Sequence, residues 1–328
     1  MSMPRLLLVA TGGTIAGSAT DTTDTSRYRA GVLSAETLLA ALPEAATLAH
    51  IRAEQPFALD SKDMTPAHWL TLATLLRERL AEPDVEGVVL THGTDTLEET
   101  GFFLHLTLPR GKPVVLTAAM RPATARSADG PMNLLQALAC AGIKGAAEFG
   151  PLVVAGDRIW RARDCSKRHT HAPDALGGID AGPIGVAIGT HVRIDQIGDG
   201  TPPQFAGALP AGLPRVDVLA AYAGAPADLI TASIANGAAG IVLALAGHGS
   251  VPDAWLPAIA AAREHGIPLV RASRVASGGV MPQGNFDDAA HGTLACGRLT
   301  PWQARMVLML TIAAGASHAM QQDALLRA

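Results

Sequence analysis

The chain has 328 residues, with 25 Lys and Arg against 29 Asp and Glu, a formal net charge of −4, 48% hydrophobic and 16% charged residues. At ~150 residues per domain this is about two domains. The low charge content excludes a disordered chain, and the weakly acidic balance argues against a nucleic-acid partner, whose footprint is basic. No stretch nears the ~18 uninterrupted apolar residues of a membrane span, so no membrane partner is expected.

In chain order, residues 6–10 form an apolar run that leads into a Gly-rich loop. Five residues are too short for the ~7–15-residue core of a signal peptide, and the run reads as a buried strand. A helical pattern follows at 67–80, then a strand at 85–90, a helix at 97–106, a strand at 113–117, a helix at 133–141 and a strand at 152–155. After a break come strands at 216–222, 241–246 and 267–272, alternating with helices at 227–236, 257–265 and 302–314. Continuous Val, Leu and Ile, rather than alternation, indicate strands buried on both faces of a parallel sheet.

The fold class is therefore α/β, an open, mostly parallel sheet with flanking helices in a larger N-terminal domain, plus a smaller α/β C-terminal domain. Turn formers crowd the break (Gly198-Asp199-Gly200, Pro202-Pro203, Pro210-Ala211-Gly212), a density that no packed helix tolerates. The expected division is 1–190, a linker at 191–213, and 214–328. The three cysteines, Cys140, Cys165 and Cys296, form no CxxC. With the missing signal core, they fit a reducing, cytoplasmic setting.

Two loops carry chemistry. The first, Thr11-Gly12-Gly13-Thr14-Ile15-Ala16-Gly17, follows the strand at 6–10; the second, Thr91-His92-Gly93-Thr94-Asp95-Thr96, follows the strand at 85–90. Each places a Gly-Thr pair at the carboxyl end of a parallel strand, where open α/β sheets bind ligands. Glycine lets the backbone approach a ligand, and helix N-terminal amides accept negative charge. Glu98-Glu99, in the first turn of the following helix, suits the macrodipole. A phosphate cradle would need GxGxxG or GxxxxGK[ST], and neither is present. An isolated Thr94 would read as a helix N-cap; two such loops, one with Asp95 beside Thr94, make capping alone a weaker explanation.

Residues 10–17 and 91–100, Ala118-Ala119-Met120-Arg121-Pro122, Ser127-Ala128-Asp129-Gly130-Pro131, Ala162-Arg163-Asp164-Cys165-Ser166-Lys167 and Ala272-Ser273-Arg274-Val275 resemble, in order, the signature segments of the bacterial L-asparaginase/glutaminase family. The resemblance implies a triad of Thr94, Lys167 and Asp95, an attacking Thr14, and a Tyr28 that polarises it. A threonine hydroxyl needs a nearby base, and a lysine made neutral by its surroundings can be one. The implied reaction is two-step acyl transfer: Thr14 attacks a side-chain carboxamide, ammonia leaves, and water hydrolyses the β-aspartyl ester. Backbone N–H groups near Gly13–Thr14 or Gly93–Thr94 are candidate oxyanion donors. The polar segment 18–30, which carries Tyr28, reads as a lid over the substrate.

The same resemblance makes Ser61, Lys62, Gly13, Gly93, Ala119, His248 and Asn285 substrate-binding positions, with three departures. Lys62 stands where glutamine is usual, His248 where asparagine is usual, and Asn285 where many members have a glutamate reaching across a subunit interface. Lys62 either contacts a substrate carboxylate or points to solvent. Losing the glutamate and gaining a lysine weakens recognition of a free α-amine, so low glutaminase activity is expected. The disulfide of secreted members would fall near Leu80 and Arg110, neither of which is cysteine.

No cofactor or metal is expected, since the 11 histidines offer no HExxH-like ligand set and read as surface or packing residues. The resemblance implies a homotetramer built from two intimate dimers. The reading is an L-asparagine amidohydrolase; the alternatives are a hydrolase of another β-amide lacking a free α-amine, or a non-catalytic amino-acid-binding sensor.

Overall fold

The computed structural model describes residues 3–198 and 200–328; Met1, Ser2 and Asp199, the last inside the expected linker, lie outside them. Two compact units are present, one ending at Gly207 and the other spanning Ala208–Ala328.

The first unit contains strands β1 (Arg5–Ala10), β2 (His50–Glu54), β3 (Gly87–Thr91), β4 (Val114–Thr117), β5 (Leu152–Ala155), β6 (Arg158–Arg161), β7 (Cys165–Lys167), β8 (Leu176–Gly178), β9 (Gly185–Ile188) and β10 (His191–Ile194). Its helices are α1 (Ala35–Ala40), α2 (Ala45–Leu48), α3 (Pro66–Ala81), α4 (Leu97–Thr107) and α5 (Gly130–Ala141). Eight strands form one sheet in the order β10-β9-β6-β5-β4-β3-β1-β2, and β7 and β8 pair separately. The five strands from β2 to β5 run parallel, whereas β6, β9 and β10 add antiparallel pairs at one edge.

Chain order explains where a ligand can sit. From β1 the chain crosses to β2 on one side and then returns to β3 on the other, so the loops leaving β1 and β3 diverge at a topological switch point. Their register is level, with Ala10 opposite Thr91. Beneath them, Leu6, Leu8, Val89 and Val115 pack with Leu134 and Leu138 of α5 in a core that fixes both strand ends. Helix α3 is started by a capping box, Thr65 with His68, and by a proline in its first turn, a pairing that satisfies otherwise orphaned amides.

The second unit is a parallel sheet, β11-β12-β13-β14, of strands β11 (Val216–Ala220), β12 (Gly240–Leu245), β13 (Leu269–Ser273) and β14 (Thr293–Ala295). Its helices are α6 (Asp228–Ala235), α7 (Leu256–Glu264), α8 (Asp288–His291), α9 (Pro301–Ala313) and α10 (His318–Arg327). Ile241, Leu243 and Leu245 pack against Ile230, Ile259 and the fully buried Trp255, whose indole N–H is satisfied by Ala225 O at 2.9 Å.

The strands expected from continuous apolar runs are present, β5 with the expected ends and the others with ends shifted by one or two residues. The short β2, β6, β9, β10 and β14 and helix α10 lack such runs. The expected linker start at 191 needs correction: residues 191–194 are β10, hydrogen-bonded to β9. Gly189, at φ 56°, turns the chain back into a hairpin there, so the run of turn formers begins only after the sheet edge.

Candidate active site

Loop one is bent by two glycines in the left-handed region, Gly12 at φ 105° and Gly13 at φ 80°. A Cβ on Gly12 would lie 2.3 Å from Leu59 O, and one on Gly13 would lie 2.4 Å from Gly93 Cα. Only glycine fits at either position, and the second contact shows that loops one and two are pressed backbone to backbone. Ser61 closes the third side: its hydroxyl accepts Asp95 N–H at 3.2 Å and its carbonyl accepts the Thr96 hydroxyl at 2.8 Å. Thr14 and Thr94 flank this junction, 7% and 5% exposed.

Thr14 Oγ1 lies 2.7 Å from Tyr28 OH. Tyr28 reaches it because residues 18–29 fold back on themselves, with Ser18 and Arg29 exchanging both backbone hydrogen bonds at 3.0 Å. The tip is stiffened by Asp21 and Asp24, whose carboxylates accept amides and hydroxyls of Thr23 and Ser26 and are thereby held below their usual pKa range. The segment is docked through Thr124, whose hydroxyl accepts Ala19 N–H at 2.9 Å, and through Arg126 N–H to Thr22 O at 3.1 Å.

Lys167 Nζ donates to Thr94 Oγ1 at 3.0 Å and to Asp95 Oδ1 at 2.5 Å. The structure thus brings together Thr94, Asp95 and Lys167 as one group, and Thr14 and Tyr28 as another, across the Gly13–Gly93 contact. Two backbone donors of these loops are left over: Thr14 N–H and Thr94 N–H meet no protein acceptor among the described residues. Ala119 is buried just beyond β4, in a segment fixed by Asp129, which accepts Met120 N–H and Arg121 N–H at 2.9 Å each.

Lys62 takes the solvent-facing alternative. Its side chain is 61% exposed, and its ammonium lies between Asp60 Oδ2 at 2.7 Å and Asp63 Oδ2 at 3.2 Å; hydrogen bonds to those carboxylates raise its pKa. The charge is neutralised within its own turn, which removes most of its pull on a substrate carboxylate.

In the second unit, His248 and Asn285 are joined to each other. His248 Nε2 accepts Met281 N–H at 3.1 Å, so Nδ1 carries the proton and donates to Asn285 Oδ1 at 3.4 Å, while Asn285 Nδ2 donates to Ser250 Oγ at 2.9 Å. Their two loops are anchored by the fully buried Arg271, which binds both oxygens of Asp288 and the carbonyl of Gly249.

Two polar residues beside the site have partners that the sequence does not reveal, the partly buried Glu98 and the buried His92. Glu98, read as a macrodipole partner, in fact accepts Lys167 N–H at 3.0 Å and the Ser166 hydroxyl. His92, counted among packing histidines, is wholly buried with both ring nitrogens engaged. Their positions beside motif residues were the only available signal.

Comparison with known proteins places the chain in a family. Residues 5–197 match the family model described as asparaginase, N-terminal, and residues 215–325 match the glutaminase/asparaginase C-terminal domain. The chain belongs to the asparaginase family. It is 39% identical to L-asparaginase 2 of Bacillus subtilis over 94% of this chain and 83% of that protein. It is 34% identical to a glutaminase-asparaginase of Acinetobacter glutaminasificans over 94% of each. The crystal structure of a probable cytoplasmic L-asparaginase from Campylobacter jejuni superimposes with a TM-score of 0.94 at 35% identity, covering 99% of this chain and all of that one.

Proposed function

We propose that the protein hydrolyses L-asparagine to L-aspartate and ammonia by two-step acyl transfer, with Thr14 as nucleophile. The observation that carries this reading is the convergence of two hydroxyl systems, Thr14 with Tyr28 and Thr94 with Lys167 and Asp95, on one glycine-lined junction. A binding protein has no need of a lysine held between a threonine and a carboxylate.

Thr14 Oγ1 attacks the carboxamide carbon and passes its proton along the contact with Tyr28. The C–N bond breaks, ammonia departs with that proton, and a β-aspartyl ester remains on Thr14. Lys167, oriented by Asp95, acts as the base in its uncharged form: it draws a proton from Thr94, which deprotonates the incoming water. The water oxygen bonds to the acyl carbon, the ester C–O bond breaks, and a proton returns to Thr14. Charge on the tetrahedral oxygen falls to Thr14 N–H and Thr94 N–H, each such donor contributing about 3–4 kcal/mol in comparable enzymes. Ser61 has a hydroxyl proton available for the substrate carboxylate, and segment 18–30 covers the bound molecule. A Thr14→Ala protein should release no ammonia above background yet still bind aspartate; wild-type turnover by that variant refutes the assignment.

A second reading, a β-amide without a free α-amine as substrate, draws support from the amide at Asn285 alone, since Lys62 is paired with Asp60 and Asp63 and faces solvent. We further infer a homotetramer, with the His248 and Asn285 loops completing the pocket of another copy, and a cytoplasmic location. The location is supported by the three buried free thiols and by the likeness to a probable cytoplasmic relative. No helix among the described residues is long and apolar enough to cross a membrane.

A further inference from the structure

Behind loop two runs a file of three buried side chains that the scheme above does not use. Trp69 Nε1 donates to Thr100 Oγ1 at 3.1 Å, Thr100 Oγ1 lies 3.0 Å from His92 Nε2, and His92 Nδ1 lies 2.7 Å from Gly93 O. The direction of the file is fixed at both ends. An indole nitrogen can only donate and a carbonyl can only accept, so His92 carries its proton on Nδ1 and takes the Thr100 hydroxyl proton at Nε2. All four polar groups are satisfied, and burial drives the imidazole pKa down to about 4, which keeps the ring neutral and the file one-way at neutral pH.

The terminal acceptor is the consequential one. Gly93 O belongs to the peptide that also holds Thr94 N–H, and a planar trans peptide aims these two groups in opposite directions. Fixing the carbonyl into the file therefore aims the N–H the other way, away from His92, and no protein acceptor among the described residues takes it. A hydrogen bond accepted by a carbonyl also polarises its peptide and strengthens donation from the N–H, by about 10–30% in the condensed phase. We propose that His92 is a positioning residue for acyl transfer, holding and polarising the Gly93–Thr94 peptide so that Thr94 N–H is set to receive the oxyanion. This rests on the acyl-transfer reading above.

Two substitutions separate positioning from packing. In His92→Asn the side-chain amide falls near Nδ1 and can still donate to Gly93 O, while the bond to Thr100 is lost. In His92→Gln it falls near Nε2, keeping Thr100 but releasing Gly93 O. His92→Gln should lower kcat for asparagine about 10- to 100-fold, the scale of a small misplacement at a reacting centre, with KM and the Kd for aspartate within about twofold of wild type. His92→Asn should keep most of kcat even where its melting temperature falls further. Equal kcat losses in the two variants, the reverse ranking, or losses that follow melting temperature and aspartate affinity overturn the proposal. Nitrogen-15 NMR of the wild-type imidazole needs neither variant nor substrate: a protonated Nδ1 with a bare Nε2 supports the file, and the opposite tautomer overturns it. Wild-type protein that releases no ammonia from asparagine refutes the functional reading instead, and the tautomer then decides the case of His92.

Discussion

Glu98 accepts the backbone N–H of Lys167 at 3.0 Å across 69 residues of sequence, and the same oxygen takes the Ser166 hydroxyl. The first turn of α4 thus holds β7 in place, and β7 in turn holds the lysine over Thr94 and Asp95. Hydrogen bonds to charged groups contribute about 1.5–3 kcal/mol each. Glu98→Ala should therefore cost about 2–4 kcal/mol in urea unfolding, with some loss recovered by solvation. It should also lower kcat by up to about 100-fold through a displaced Lys167. Glu98→Gln, which can still accept both protons, should stand much closer to wild type. An alanine variant with unchanged kcat would detach Glu98 from the lysine's placement.

His92 gives the stability a defined acid limb. Burial penalises the imidazolium and pushes its pKa down to about 4 in the folded chain, against about 6.5 for a free imidazole. Between those values the unfolded chain binds the additional proton, so stability falls as pH drops from about 6.5 toward 4, by about 3 kcal/mol in all. Unfolding free energies at pH 7, 5.5 and 4.5 should fall less steeply in His92→Gln than in wild type. Parallel profiles would mean that the ring titrates normally.

Arg271 and Asp288 form a buried pair in the second unit, both partners under 10% exposed. Burial raises the Asp288 pKa, but hydrogen bonds from Arg271, Thr293 and the Gln283 N–H outweigh it and leave the carboxyl below its usual range. Arg271→Met strands that carboxylate and should cost about 3–5 kcal/mol, whereas a double replacement with Asp288→Leu should recover much of the loss. Denaturant unfolding of the single and double variants checks this; a single variant near wild-type stability contradicts it.

Under the proposed function, substrate preference follows from the departure at Asn285. On the proposed reading, with an amide rather than a carboxylate at Asn285, Asp95 is the carboxylate among the assigned site residues that is left for an α-amine. Glutamine, longer by one methylene, should have a kcat/KM about 10- to 200-fold below that of asparagine. A β-amide without a free α-amine, such as N-acetylasparagine, should retain measurable turnover. Ammonia release across these three compounds is the test. Glutamine matching asparagine defeats the first expectation, and no reaction with N-acetylasparagine defeats the second.

Much of this architecture was legible in sequence because strands buried on both faces cannot hide: residues 6–10 and 113–117 are almost wholly apolar, and each precedes a turn. The edge strands were not, since β2 and β10 alternate exposed and half-buried positions over only a few residues and resemble loops. The threonine loops announced themselves through Gly-Thr pairs at strand ends, where glycine suggests room for a ligand; in the fold Gly12 and Gly13 are needed for contacts with the Leu59 and Gly93 backbone. The roles of His92 and Glu98 stayed hidden because a one-dimensional pattern marks a polar side chain as present, not the direction in which burial forces it to point. Lys62 illustrates the converse: its neighbours Asp60 and Asp63 were visible in the sequence, but only the turn geometry brings both onto its ammonium.

The most direct measurement is a search for the acyl-enzyme itself. Protein quenched in acid during asparagine turnover, or after mixing asparagine with a Lys167→Met variant that should deacylate slowly, is digested and its peptides are weighed. The account predicts one aspartyl group esterified to the peptide containing Thr14 and absent from Thr14→Ala. An active enzyme carrying the adduct on the Thr94 peptide would contradict it, as would one whose slow-deacylating variant carries no adduct at all.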